Sequence, residues 1–139
     1  MMIRGLMIGT ALTLAACTGT GPQAARSFED PAVQKLFNLP TPQYYATLRL
    51  ANMVTQNCAR YSYDSVLDVD VNEKRNEVGR GSLSAIGLRK AIDLESSVSE
   101  RSFAAKHGVE IDAGVDLCPA ADAETLEDSA MAAVLVAVN

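Results

Sequence analysis

Tryptophan is absent from the 139-residue sequence, and histidine occurs once, at position 107. With only four Tyr and three Phe besides, the chain lacks a platform on which bases could stack. Its formal charge of −5 also opposes phosphate, so nucleic acid is not an expected partner. A nucleophilic site needs a base that titrates near neutrality, and any such site here would have to use His107. One imidazole is too few for a histidine-built metal centre. The two cysteines at 58 and 118 are too far apart in sequence for the close thiolate pairs of zinc sites or for a Cys-x-x-Cys redox motif. Gly79 and Gly81 flank Arg80 without the Lys-Ser/Thr of a phosphate loop, and no strand precedes them. No metal, cofactor or catalytic residue is expected. No apolar run reaches the ~20 residues needed to cross a bilayer core.

What is present starts at the N-terminus. Met1-Met2-Ile3-Arg4 carries a positive charge, Gly5 to Ala16 is apolar, and small residues lead into Cys17. Positive start, short apolar run and small residues are the three parts of a secretory signal. Leu14-Ala15-Ala16-Cys17 closely resembles the lipobox of bacterial lipoproteins. That resemblance implies cleavage after residue 16 and acylation of Cys17, which would become the first residue. Removing Arg4 with the signal takes the charge to about −6. Residues 17–27 then read as a lipidated cysteine and a flexible tether of small residues, two Gly and a Pro. A single domain of residues 28–139 follows. Thr18, rather than Asp, after the cysteine favours the outer membrane by analogy with enterobacterial sorting. Export also places Cys58 and Cys118 in an oxidising compartment, where an even pair is expected to form a disulfide.

Along the domain the patterning is mainly helical. Asp30-Pro31 is a helix start, with Val33, Leu36 and Phe37 on one face before Pro40. Thr41-Pro42 repeats that signal. Tyr44, Leu48, Ala51, Val54, Cys58 and Tyr61 then recur at steps of three and four, opposite Arg49, Asn52, Gln56 and Arg60. Leu67 to Val71 alternates in the manner of a short strand, while its flanks in residues 64–72 read as helix or loop. Asp68-x-Asp70-x-Asn72 imitates half a calcium loop, but Glu73 and Gly79 stand where Gly and Glu are required. Ser82 is a candidate cap for a long helix. Leu83, Ile86, Leu94, Val98 and Ala105 mark one of its faces; Leu88, Ala91, Ile92 and Phe103 mark another. Apolar on two sides, it reads as the central helix. Lys106-His107-Gly108-Val109 is a helix stop, with His107 offsetting the dipole. Cys118-Pro119 opens a short Ala-rich helix, and Ala130 to Val138 reads as a buried strand or helix turn. It is a candidate partner for Leu67 to Val71. The expected fold is mainly α, one compact helical domain of about four helices, with one short two-stranded β pair left open.

Seven acidic residues and no Lys or Arg follow His107. They are expected to fold back on the basic stretch of Lys74, Arg75, Arg80, Arg89 and Lys90, with a docking face for a cationic partner as the sharper alternative. Glu95 and Glu100 point to different sides of their helix and form no acid–base pair. Three segments, Asn57-Cys58-Ala59-Arg60-Tyr61, Phe103 to Val109 and Asp116-Leu117-Cys118, resemble a group of small exported two-cysteine helical proteins of alphaproteobacteria, some of them lipoproteins. They form a domain family of unknown function. The resemblance implies a compact helical fold with one bridge, and it carries no catalytic residue. The expected function is that of a non-enzymatic accessory or binding lipoprotein of the cell envelope. It would face the periplasm, held to the membrane through Cys17, with an envelope protein as partner. The alternative is an envelope hydrolase using a carboxylate with His107.

Overall fold

Asp30 opens the first helix as the sequence implies: its carboxylate accepts from Ala32 N–H at 2.9 Å, and Pro31 takes the first turn. This computed structural model describes residues 22–80, 86–112 and 114–139. The signal, the lipobox with Cys17, Ser82, Leu83 and the side chain of Ile86 lie outside the described residues. Helix α1 is Pro31–Asn38 and α2 is Thr41–Gln56. Strand β1, Tyr61–Tyr63, precedes α3, Ser65–Glu77. Then come α4, Ile86–His107, and α5, Cys118–Leu126. The chain closes with a 3₁₀ helix, Met131–Val134, and strand β2, Leu135–Ala137. The protein is mainly helical, with one two-stranded antiparallel sheet in which Tyr61 faces Ala137 and Tyr63 faces Leu135.

The stripe read on α2 is buried as far as the helix runs, with Tyr44, Leu48, Ala51 and Val54 facing the core. But α2 ends at Gln56, and Tyr61, read as the last member of the stripe, lies in β1. Cys58 lies two residues past the helix and is buried too. The tightest part of the core is the 3₁₀ helix. Met131, Ala132, Ala133 and Val134 are all buried, and they pack against α1, α2, α3 and α5. Leu117 N–H donates to Asn57 O, beside the disulfide that joins Cys58 to Cys118 with Cα atoms 4.8 Å apart.

Three expectations need correction. Residues 67–71 are helix, not strand. Asp64 accepts from Leu67 N–H at 3.0 Å as the cap of α3, and Leu67, Val71 and Arg75 bury at helical spacing while Val69 stays exposed. The partner of the C-terminal strand is instead Tyr61–Tyr63. Next, α4 is not central. It packs along α2 through Ile92, Ser96 and Phe103, and its other apolar face is open, with Leu94 64% exposed. The role of a central helix falls to α2. Thirdly, the acidic segment folds back, but onto other cations. Asp122 pairs with Arg60 at 2.8 Å, Asp128 with Arg26 at 3.7 Å, and Lys106 with Glu124 and Glu127 at 2.8 and 2.5 Å. The basic stretch stacks on rings instead: Lys74 over Phe28, Arg75 over Tyr44 and Arg80 over Phe37.

Candidate functional site

Three of the chain's four tyrosines aim their hydroxyls at one face of α3. Helical spacing puts Asp68 and Asn72 one turn apart on that face. Tyr63 OH donates to Asp68 Oδ2 at 2.7 Å, and Tyr44 OH approaches Oδ1 at 3.4 Å. Tyr45 OH donates to Asn72 Oδ1 at 3.2 Å. Burial, reinforced by the Asp68 carboxylate, pushes the Tyr44 and Tyr63 hydroxyls well above the ordinary tyrosine range. Burial raises Tyr45 as well. All three therefore act as neutral donors. Asp70, two residues on, points elsewhere, toward Glu73 and Glu77. The half calcium loop is thus split by the helix that carries it.

Beside these tyrosines lies an open groove of about 780 Å³ between α2, α3 and the first half of α4. From α2 it takes Tyr45, Arg49 and Asn52, and from β1 Tyr63. From α3 come Asp68, Val69 and Asn72, and from α4 Arg89, Ile92 and Asp93. Arg49 spans the groove mouth to Asp93 at 2.7 Å, an exposed pair that holds the two helices loosely. Sequence reasoning missed this site. Its signal was present as the Asp68–Asn72 spacing together with the Tyr-Tyr and Tyr-Ser-Tyr clusters.

The sequence-singled residues sit elsewhere. His107 ends α4, where Gly108 turns with φ +62° and Val109 N–H returns to Ala104 O. Its ring is buried rather than exposed, packed on Phe103, with Nε2 2.6 Å from Glu124 Oε1. Burial raises Glu124, but hydrogen bonds from Lys106, Ser129 and His107 outweigh it and hold the carboxyl below its usual range. Glu124 in turn raises Lys106, with Glu127 adding to it. This cluster ties α4 to α5. Cys58 and Cys118 lie with Asp116, whose Oδ1 accepts at 2.9 Å from the N–H of Cys118, the first residue of α5. Joined to each other, the sulfurs offer no thiolate to a metal. No protein family model, curated protein or solved structure matches this chain.

Proposed function

We propose that the protein is a membrane-anchored lipoprotein of the bacterial envelope that acts as a non-enzymatic accessory or binding module. The lipobox supports the anchor, on Cys17 and facing the periplasm. The observation that carries the binding role is the α2–α3–α4 groove: concave, open, and lined by tyrosine, amide and charged groups around an apolar floor of Leu48 and Ile92. A photo-crosslinking residue placed at Val69, which is 56% exposed on the groove rim, tests it in intact cells. A partner or ligand adduct is expected at 69 and not at Leu126, an exposed position outside the groove. Equal capture at both positions, or none, defeats the reading.

The second reading is an envelope hydrolase using His107 with a carboxylate, and the 2.6 Å contact with Glu124 favours it. Both side chains are 8% exposed, however, and Glu124 is already held by Lys106, so the pair offers little room for a substrate. His107→Gln is expected to lower the melting temperature and leave crosslinking at 69 intact. A complete loss of cellular function at unchanged melting temperature would favour the hydrolase.

A further inference from the structure

The polar groups of the groove share one geometry. Asn52 and Asn72 present planar amides. Asn52 Nδ2 gives one proton to Leu48 O and Asn72 Oδ1 accepts from Tyr45, which leaves the Asn52 acceptor and the Asn72 donors facing the groove. Asp68 presents a planar carboxylate with acceptor capacity beyond its two tyrosine hydroxyls. Arg49 adds a planar fork whose Nη1 is committed to Asp93 and Ser96. Flat, two-point groups of this kind match pairs of neighbouring hydroxyls. Tyr45 and Tyr63, both half-buried, supply ring surface in the same groove.

The charges decide against the other small-molecule classes. Arg49 and Arg89 face Asp68 and Asp93, so the lining is formally neutral. An anion would meet two carboxylates, and a cation two guanidinium groups. A purely apolar ligand would strip water from all four. Extended peptides read an open strand edge, and helical peptides want an apolar trough; these walls are helical and polar. What remains is a neutral molecule whose groups both donate and accept and which has an apolar face. A sugar ring has both properties.

We propose that this groove binds neutral carbohydrate, with Asn52, Asn72 and Asp68 gripping ring hydroxyls and a tyrosine beneath a sugar face. The proposal rests on the binding-module reading and names its ligand class. Purified full-length protein with the Cys58–Cys118 bond intact is titrated with triacetylchitotriose and with maltotriose, read by amide NMR shifts. Shifts are expected at Asn52, Val69 and Asn72 with a Kd on the order of 1 mM, as suits an open, wet site. Asn72→Ala should weaken binding at least tenfold, and Val69→Trp, which plugs the groove from an exposed position, should abolish it. Val69→Trp should melt as wild type does, and Asn72→Ala, which takes the acceptor from Tyr45, should stay folded and melt only a few degrees lower. The proposal is overturned if neither trisaccharide moves those amides at about 10 mM, or if inorganic phosphate, spermidine or a neutral tripeptide moves them instead. A protein adduct at residue 69 without trisaccharide binding would sink the carbohydrate assignment and leave the binding module standing.

Discussion

Arg75 is 1% exposed, and among the described residues it has no carboxylate partner. Its guanidinium donates to the carbonyls of Phe37 and of Leu39, the latter at 2.9 Å, and lies 4.2 Å over the Tyr44 ring. Those carbonyls end α1, where the helix leaves acceptors unpaired and carries partial negative charge. The arginine therefore replaces water for two orphan acceptors and offsets a dipole at once. Burial lowers its pKa, the expected direction for a desolvated cation. Arg75→Met fills the volume but strands Leu39 O and leaves Phe37 O only a long contact from Arg80 at 3.5 Å, and urea denaturation should show a loss of about 2 kcal/mol. Arg75→Lys, without the fork, should recover only part of it. Glu124 makes a pH prediction. Its folded pKa lies below the ordinary 4.5, so its stabilisation is present above that value and is lost as pH falls through the depressed one. Lys106 is raised above 10.5; its contribution is present below that pH and is lost as pH rises through the raised value. Being 43% exposed, it is screened and counts for less. The melting-temperature gap between wild type and Glu124→Gln should close in acid, as pH falls through the depressed pKa of Glu124.

Among the elements, the disulfide joins the end of α2 to the start of α5 across 60 residues of sequence. By loop-closure entropy it contributes ~4 kcal/mol, a large share of the 5–15 kcal/mol typical of a domain. Thermal melts with and without reductant should differ accordingly, and a difference below about 1 kcal/mol would deny the bond its role. Elements with local punctuation were legible in the sequence. Asp30-Pro31, the α2 stripe, the Gly108 stop and Cys118-Pro119 each mark a boundary with short-range chemistry. Helix α3 was only half legible: Asp64 is a local cap, but Leu67, Val69 and Val71 satisfy a period of two as readily as Leu67 and Val71 satisfy a period near four. The burial of Arg75 against the end of α1 and the Tyr44 ring of α2 favours the helix, and it cannot be seen along the chain. The three-residue strand Tyr61–Tyr63 is too short to show a period. For α4 the apolar pattern overstated burial: Leu94 and Val98 remain exposed. The groove went unread for the same reason as α3. Each wall comes from a different element, and only Asp68 and Asn72 are neighbours in a helical sense.

At the scale of the whole molecule, the N-terminal segment is taken up by the body at Ala25, whose N–H donates to Asp64 Oδ2 at 2.8 Å, while Arg26 pairs with Asp30 and Asp128. The same Asp64 carboxylate caps α3. If Cys17 carries the lipids, the domain hangs from this point, a few residues beyond the lipid chains. An acyl chain contributes about 0.8 kcal/mol per buried methylene, and a single chain anchors only weakly. Cys17→Ser should accordingly yield uncut or soluble protein on membrane fractionation. A mutant cleaved and membrane-bound like wild type would refute the anchor. The position of the 3₁₀ helix has a consequence of another kind. Residues 131–137 plug the space between α1, α2, α3 and α5 and supply the partner of β1, so elements far apart in sequence close on one short segment. Without them, Val33, Leu36, Val54 and Val71 would lose neighbours from their common core. Cutting that segment away should therefore unfold the whole domain, where trimming an ordinary helix end would only fray it.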